Sequence, residues 1–227
     1  MIGGMSWESS IEYYRIINEQ ISRRLGGYHS AKSVMVSVDF AEIEVMQREN
    51  RWEEATEMMV EAARQVERSG ADFLVICTNT MHKMADEVER QISIPVLHIA
   101  DATAEKIASC GLKKVGLLGT RFTMEEDFYK GRLISKYGME VVVPSLQERI
   151  IVHNIIYREL VMGIINPTSR DSYTEVMEGL VSCGAEGVIL GCTEIGLLVN
   201  QNNSQVPLFD TTSIHAEAAV VYALSTE

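Results

Sequence analysis

Two short polar segments, each closing an apolar run, hold the side chains best suited to moving a proton. The first is Thr78-Asn79-Thr80, which follows Phe73-Leu74-Val75-Ile76-Cys77. The second is Cys192-Thr193-Glu194, which follows Gly187-Val188-Ile189-Leu190-Gly191. A free thiol ionises near about 8.5, whereas a threonine hydroxyl is a far weaker acid. If the segments approach one point from opposite sides, one group can take a proton from one face of a carbon. The other can then return a proton to the opposite face. Inverting a stereocentre by proton transfer needs such an opposed pair. The hydroxyl and amide donors of Asn79, Thr80 and Thr193 suit a carboxylate whose charge grows as a carbanion forms.

The same residues have plainer readings. Cys192 could be a buried structural thiol, since cysteine is often core. Cys77 aligns with Gly191, so its side chain should point away from Thr78 into the core. A shift of one residue would instead make Cys77 the second base. Cys110 and Cys183 sit beside glycines at helix ends and read as packing residues. His82 could orient a substrate carboxylate or tune Glu194, or simply lie on a helix surface. His98 and His215 read as structural. No two of the four cysteines have CxxC spacing, and no histidine lies at ligand spacing from them, which predicts no metal site. The G-x-G-x-x-G pattern follows none of the strands assigned below, which argues against a dinucleotide enzyme.

The positioning elements alternate. Ser33–Phe40, Phe73–Cys77, Pro95–His98, Val115–Leu118, Glu140–Val143, Gly187–Leu190 and Pro207–Phe209 are short and apolar, as buried parallel strands are. Trp52–Ser69, Met81–Gln91, Ala102–Cys110, Met124–Lys136, Gln147–Met162 and Ser169–Ser182 have helical patterning. The charged stretch from Met46 to Trp52 reads as a mobile loop over the site. Alternation of this kind predicts an α/β fold with mostly parallel sheets. It also repeats itself. Gly70-Ala71-Asp72 and the run to Thr80 match Gly184-Ala185-Glu186 and the run to Glu194, an offset of 114 residues. Ile94-Pro95-Val96-Leu97 matches Val206-Pro207-Leu208-Phe209, an offset of 112. Ile2-Gly3-Gly4-Met5 resembles Leu117-Leu118-Gly119-Thr120, and in both an aromatic and acidic segment then opens a helix. Two pseudo-symmetric Rossmann-like lobes are therefore expected: residues 1–97 with 208–227, and residues 98–207. Ligands of open parallel sheets bind beyond the carboxyl ends of the strands, which predicts a site in a cleft between the lobes. The first lobe's opening strand looks clipped, with only Met1 and Ile2 ahead of its glycine.

Bulk properties narrow the function classes. The chain has 227 residues, 46% of them hydrophobic, enough for a real core without disulfide or metal support. Its formal charge of -12 argues against nucleic acid or an anionic membrane as partner. No leader and no spanning apolar run is evident. Four cysteines in a long chain without a signal point to the reducing cytoplasm.

The motifs also carry a resemblance. Thr78-Asn79-Thr80-Met81-His82 resembles the Cys-Asn-Thr-Ala-His motif of the aspartate/glutamate racemase family, and Gly191-Cys192-Thr193-Glu194 resembles its second motif. Gly3-Gly4-Met5-Ser6-Trp7, Asp39-Phe40 with Gln47, and His98-Ile99-Ala100-Asp101-Ala102-Thr103 resemble further stretches of that family. The likeness is nearest to bacterial broad-specificity aspartate/glutamate racemases. It implies interconversion of L- and D-aspartate or glutamate by two-base proton transfer, with no cofactor and no metal, in a homodimer. It implies Thr78 and Cys192 as the acid/base pair. It also implies substrate contacts at Met5, Gln47, Asn79, Thr80, Thr193 and Glu194. Thr120 joins them by its symmetry with Met5. Thr78 departs from the family pattern, which usually has a second cysteine there. Arg48, Arg121 and Arg149 are candidates for a distal carboxylate. Two other readings compete: an arylmalonate-type decarboxylase, which needs one cysteine, and a non-catalytic amino-acid-binding protein.

Overall fold

The computed structural model describes residues 1–225. Its described strands are β1 (Ile2–Gly3), β2 (Val36–Ser37), β3 (Leu74–Val75), β4 (Val96–Leu97), β5 (Lys114–Gly119), β6 (Glu140–Val142), β7 (Gly187–Gly191) and β8 (Leu208–Asp210). The α-helices are α1 (Trp7–Leu25), α2 (Phe40–Arg48), α3 (Trp52–Arg68), α4 (Ala85–Arg90), α5 (Ile99–Ser109), α6 (Arg121–Glu125), α7 (Asp127–Tyr137), α8 (Leu146–Arg158), α9 (Pro167–Ser182), α10 (Ile195–Leu198) and α11 (Thr211–Ser225). Two compact units result, one of Met1–His98 with the segment from His215 onward, the other of Ile99–Ile214.

In the first unit β1 pairs in parallel with β2, and β3 with β4. A parallel bridge from Ile2 to Ile76 joins the two pairs, giving the order β2-β1-β3-β4. In the second unit the order is β6-β5-β7-β8, again parallel throughout. The two units thus repeat one α/β strand order. Met1 and Ile2, buried and almost fully enclosed, form the centre of the first sheet. The Met1 ammonium donates to the Val34 carbonyl at 2.8 Å and the Met1 carbonyl accepts from Val36 N at 3.0 Å.

Five expectations need correction. The Ser33–Phe40 run pairs only at Val36–Ser37, because Asp39 ends it: its carboxylate accepts from Ala41 N at 3.0 Å and caps α2. The stretch from Met46 to Trp52 is therefore the end of α2 and a turn, with Asn50 at φ 59, rather than a long loop. The Met124–Lys136 helix is split at Glu126, whose backbone is extended. The chain returns to the first unit after Ile214 rather than at 208, because Leu208–Asp210 pairs with β7. Cys110 and Cys183 are exposed rather than packed, since Gly111 and Gly184 at positive φ turn the chain just after each helix. No described helix is long and apolar enough to cross a membrane.

Candidate active site

In the first unit, the carboxyl ends of β1 and β3 lie side by side, as the Ile2–Ile76 bridge dictates. That places Gly4-Met5 next to Thr78. Gly4 has φ +91, and a Cβ there would come 2.2 Å from the Val38 carbonyl, so only glycine fits the turn. Ser10, on α1, holds the turn by accepting from Gly4 N at 2.7 Å and donating to the Ser6 carbonyl at 2.8 Å. Sequence reasoning did not single out Ser10, although a serine in the first turn of the helix that follows a glycine pair is a usable signal. Gln47 is buried on α2, and its Nε2 donates to Met81 Sδ at 3.3 Å. Met81 shares an apolar cluster with Met5 and Ile43. Met5, Gln47 and the 78–80 segment are thus brought together.

Thr78 is 8% exposed, and Asn79 and Thr80 are buried behind it. A 3-10 turn, Thr80–Met84, follows directly. Cys77 lies in a different cluster, with Tyr13, Ala216 and Val220. Burial pushes its thiol up to about 12, so it stays protonated near neutrality. His82 is buried rather than on a helix surface, and its Nδ1 lies 2.7 Å from the Thr78 carbonyl.

In the second unit, Gly119 of β5 pairs with Gly191 of β7. A Cβ on Gly119 would meet the Gly191 carbonyl at 2.7 Å, and one on Gly191 would meet the Leu118 carbonyl at 2.6 Å. The glycines let the two strand ends close up, which brings Thr120 beside Cys192. Thr120 caps α6, with its Oγ1 accepting from Thr123 N at 3.4 Å. Thr211 and Thr212, which open α11, brace the second segment. They donate to the carbonyls of Leu190 at 2.8 Å and Thr193 at 3.2 Å.

The chemistry concentrates on one buried carboxylate oxygen. Cys192 Sγ donates to Glu194 Oε2 at 2.9 Å, and Thr193 Oγ1 donates to the same oxygen at 3.0 Å. Glu194 is 1% exposed. Burial, then the Glu194 charge and hydrogen bond, hold the Cys192 thiol well above its ordinary range. Cys192 therefore rests as a neutral thiol, ready to give a proton, with an acceptor already in contact should it need to lose one.

Of the three candidate arginines, two are engaged elsewhere. Arg149 Nε is 3.0 Å from Glu125 and its Nη1 donates to the Pro144 carbonyl at 2.9 Å. Arg48, well exposed, pairs with Glu44 at 3.3 Å. Arg121 directly follows Thr120, and its guanidinium lies 4.8 Å from the Phe122 ring centroid. Among the described residues no group of three or more His, Cys, Asp or Glu side chains is placed to hold a metal ion.

The first unit carries its own electrostatic signature. Burial draws the His215 imidazole down to about 4. Burial, then the neighbouring His98 and His215, draws His82 well below its usual range, against the pull of the Thr78 and Leu97 carbonyls. The unfolded chain takes up a proton on each near about 6.5, where the folded chain does not. Stability is thus full above that value and is lost as pH falls from about 6.5 to about 4, where the His215 effect levels off. For His215 alone the loss is about 3 kcal/mol. Urea unfolding at pH 7 and pH 4.5 should show it, and His215→Gln should flatten the slope.

Comparison with known proteins places these features in company. Residues 2–219 match the model of a family described as Asp/Glu/hydantoin racemase. A solved structure of a candidate Asp/Glu racemase from Yersinia pestis is 54% identical, with a TM-score of 0.91, over 98% of this chain and 97% of that one. An aspartate racemase homologue from Pyrococcus horikoshii is 36% identical, with a TM-score of 0.81, over 100% of this chain and 97% of that one. The broad-specificity amino-acid racemase RacX of Bacillus subtilis is 24% identical over 171 residues, 74% of this chain and 72% of RacX.

Proposed function

The chain belongs to the Asp/Glu/hydantoin racemase family, isomerases that work without pyridoxal phosphate, and from that premise we propose that it interconverts the enantiomers of aspartate, glutamate or both. The observation that carries the reading is the Cys192–Glu194 contact of 2.9 Å. A thiol that only packed a core would have no need of a buried carboxylate to receive its proton.

In the proposed cycle Thr78 and Cys192 act on opposite faces of the α-carbon. When Cys192 acts as base, its proton passes to Glu194 Oε2 and the thiolate takes the α-proton. Thr78 gives its hydroxyl proton to the other face of the carbanion. One proton then passes by way of water from Glu194 to the Thr78 alkoxide, and the site is reset. Backbone N–H groups and the hydroxyls of Thr80 and Thr120 hold the α-carboxylate, with Asn79 and Gln47 beside them, while the Thr193 hydroxyl stays on Glu194. Arg121, next to Thr120 and in no ion pair among the described residues, is the arginine assigned in this proposal to a distal acid. Cytoplasmic conditions would keep Cys192 a thiol.

Chiral chromatography of L- and D-aspartate and L- and D-glutamate tests the assignment. Each pure enantiomer should drift to an equal mixture. Because enantiomers have equal free energy in water, kcat/KM must match in the two directions, whatever kcat and KM do separately. A lasting excess of one enantiomer would exclude simple racemisation. Glu194→Gln keeps an acceptor for Thr193 but cannot take the thiol proton. It should lower kcat by about 10²–10³ with little change in KM, read in the same assay.

Cys77 in the core leaves the 78–80 and 192–194 segments with one thiol between them, which also suits an arylmalonate-type decarboxylation. That reaction needs a single proton delivery. Carbon dioxide release from a malonate, with no action on amino acids, would favour it.

A further inference from the structure

Thr78 is the weaker acid of the proposed pair, so its aim matters more than that of Cys192. Behind it lies a buried imidazole network that the reaction does not touch. His82 Nδ1 is 2.7 Å from the Thr78 carbonyl. A peptide carbonyl only accepts, so Nδ1 carries the proton and donates. The His82 ring lies 4.6 Å from the half-buried His98 ring and 5.7 Å from the His215 ring, centroid to centroid. His215 Nε2 is 2.8 Å from the Leu97 carbonyl, so Nε2 carries its proton. A neutral His215 must then accept at Nδ1, where the Tyr13 hydroxyl donates at 2.9 Å. Burial leaves His82 and His215 2% and 0% exposed. Two buried rings are thereby held by the main chain at the ends of β3 and β4.

We propose that His82, locked in place by His215 and Tyr13, is a positioning residue that orients the Thr78 peptide and so aims the Thr78 hydroxyl at the α-carbon. The network spends two buried imidazoles and a buried tyrosine on fixing one peptide plane. The Cys192 segment is braced differently, by the hydroxyls of Thr211 and Thr212. Disturbing His82 should therefore weaken one of the two proton transfers and leave the other intact. This inference rests on the reading of Thr78 as one of the two acid/base groups.

The test compares wild type with His82→Leu, His82→Asn and Tyr13→Phe. The asparagine amide Nδ2 occupies the place of the ring Nδ1 and restores the donor. Rates in both directions are measured with ordinary and α-deuterated enantiomers. His82→Leu should lower kcat/KM in both directions equally, by about 10- to 100-fold, as a small misplacement does. The substrate isotope effect should rise for the enantiomer whose α-proton Thr78 removes and fall toward unity for the other. His82→Asn should recover most of the rate, and Tyr13→Phe should lose a smaller part. A smaller folded fraction would lower kcat with both isotope effects unchanged, and that result would overturn the proposal. So would wild-type rates in His82→Leu, or a folded His82→Asn no better than His82→Leu. If the wild type interconverts no amino acid, the racemase reading itself fails and takes this role for His82 with it.

Discussion

Replacing Cys192 by alanine is expected to reduce interconversion in both directions by about 10³-fold or more, within the range lost when a positioned acid/base group is removed. The loss must be equal in kcat/KM for both directions, because the equilibrium constant between enantiomers is one. Folding should survive. Cys192 is buried among apolar neighbours that include Ile195 and Leu198, and replacing its CH2SH group by a methyl removes only the sulfur, at a cost of about 1 kcal/mol. Its loss also releases Glu194 from one donor while Thr193 continues to donate to the same oxygen. Circular dichroism and thermal unfolding should therefore stay near wild type while activity falls away. An alanine variant with a tenth or more of wild-type activity would remove Cys192 from the chemistry.

Thr78→Val should have the next largest effect. Valine keeps the shape of threonine and removes the hydroxyl, at a position only 8% exposed. Interconversion should fall by about 10²- to 10⁴-fold, since the carbanion then has no donor on that face. Thr78→Cys supplies the complementary result. A thiol ionises more readily than an alcohol, so this variant should match or exceed the wild type, with the gain confined to the direction in which residue 78 removes the α-proton when kcat is read alone. If Thr78→Val kept wild-type rates, the second proton would have to come from water or from another side chain, and the two-base scheme would fall.

Much of this was legible in the chain itself, and the reasons are local. The apolar runs ending in Thr78 and in Cys192 stand out because parallel strands buried on both faces are continuous apolar stretches. The repeat at an offset of 114 residues corresponds to one strand order used twice, β2-β1-β3-β4 and β6-β5-β7-β8. The glycines at 119 and 191 were visible as glycines, but their purpose shows only when each is seen facing the other strand's carbonyl. The α2 helix was hidden because Val34 to Phe40 alternates like a strand, and the Asp39 cap outweighs that pattern only through its contact with Ala41 N. The imidazole network was out of reach for another reason. Tyr13 and His215 are 202 positions apart, and His215 and Leu97 are 118 apart. Nothing local marks them as partners. The Glu194 contact lay between these cases: its spacing from Cys192 was plain, but a two-residue separation does not say whether the side chains meet.

Solvent-deuterium labelling tests the two-base scheme most directly. Each pure enantiomer of aspartate and glutamate would be incubated with the wild-type protein in deuterated buffer and recovered at low conversion. The α-position of substrate and product would then be read by proton NMR. Opposed donors predict deuterium at the α-carbon of the product enantiomer and a retained proton in the remaining substrate, from either starting hand. Deuterium entering the substrate with no inversion, or no exchange from either enantiomer of either amino acid, would contradict it.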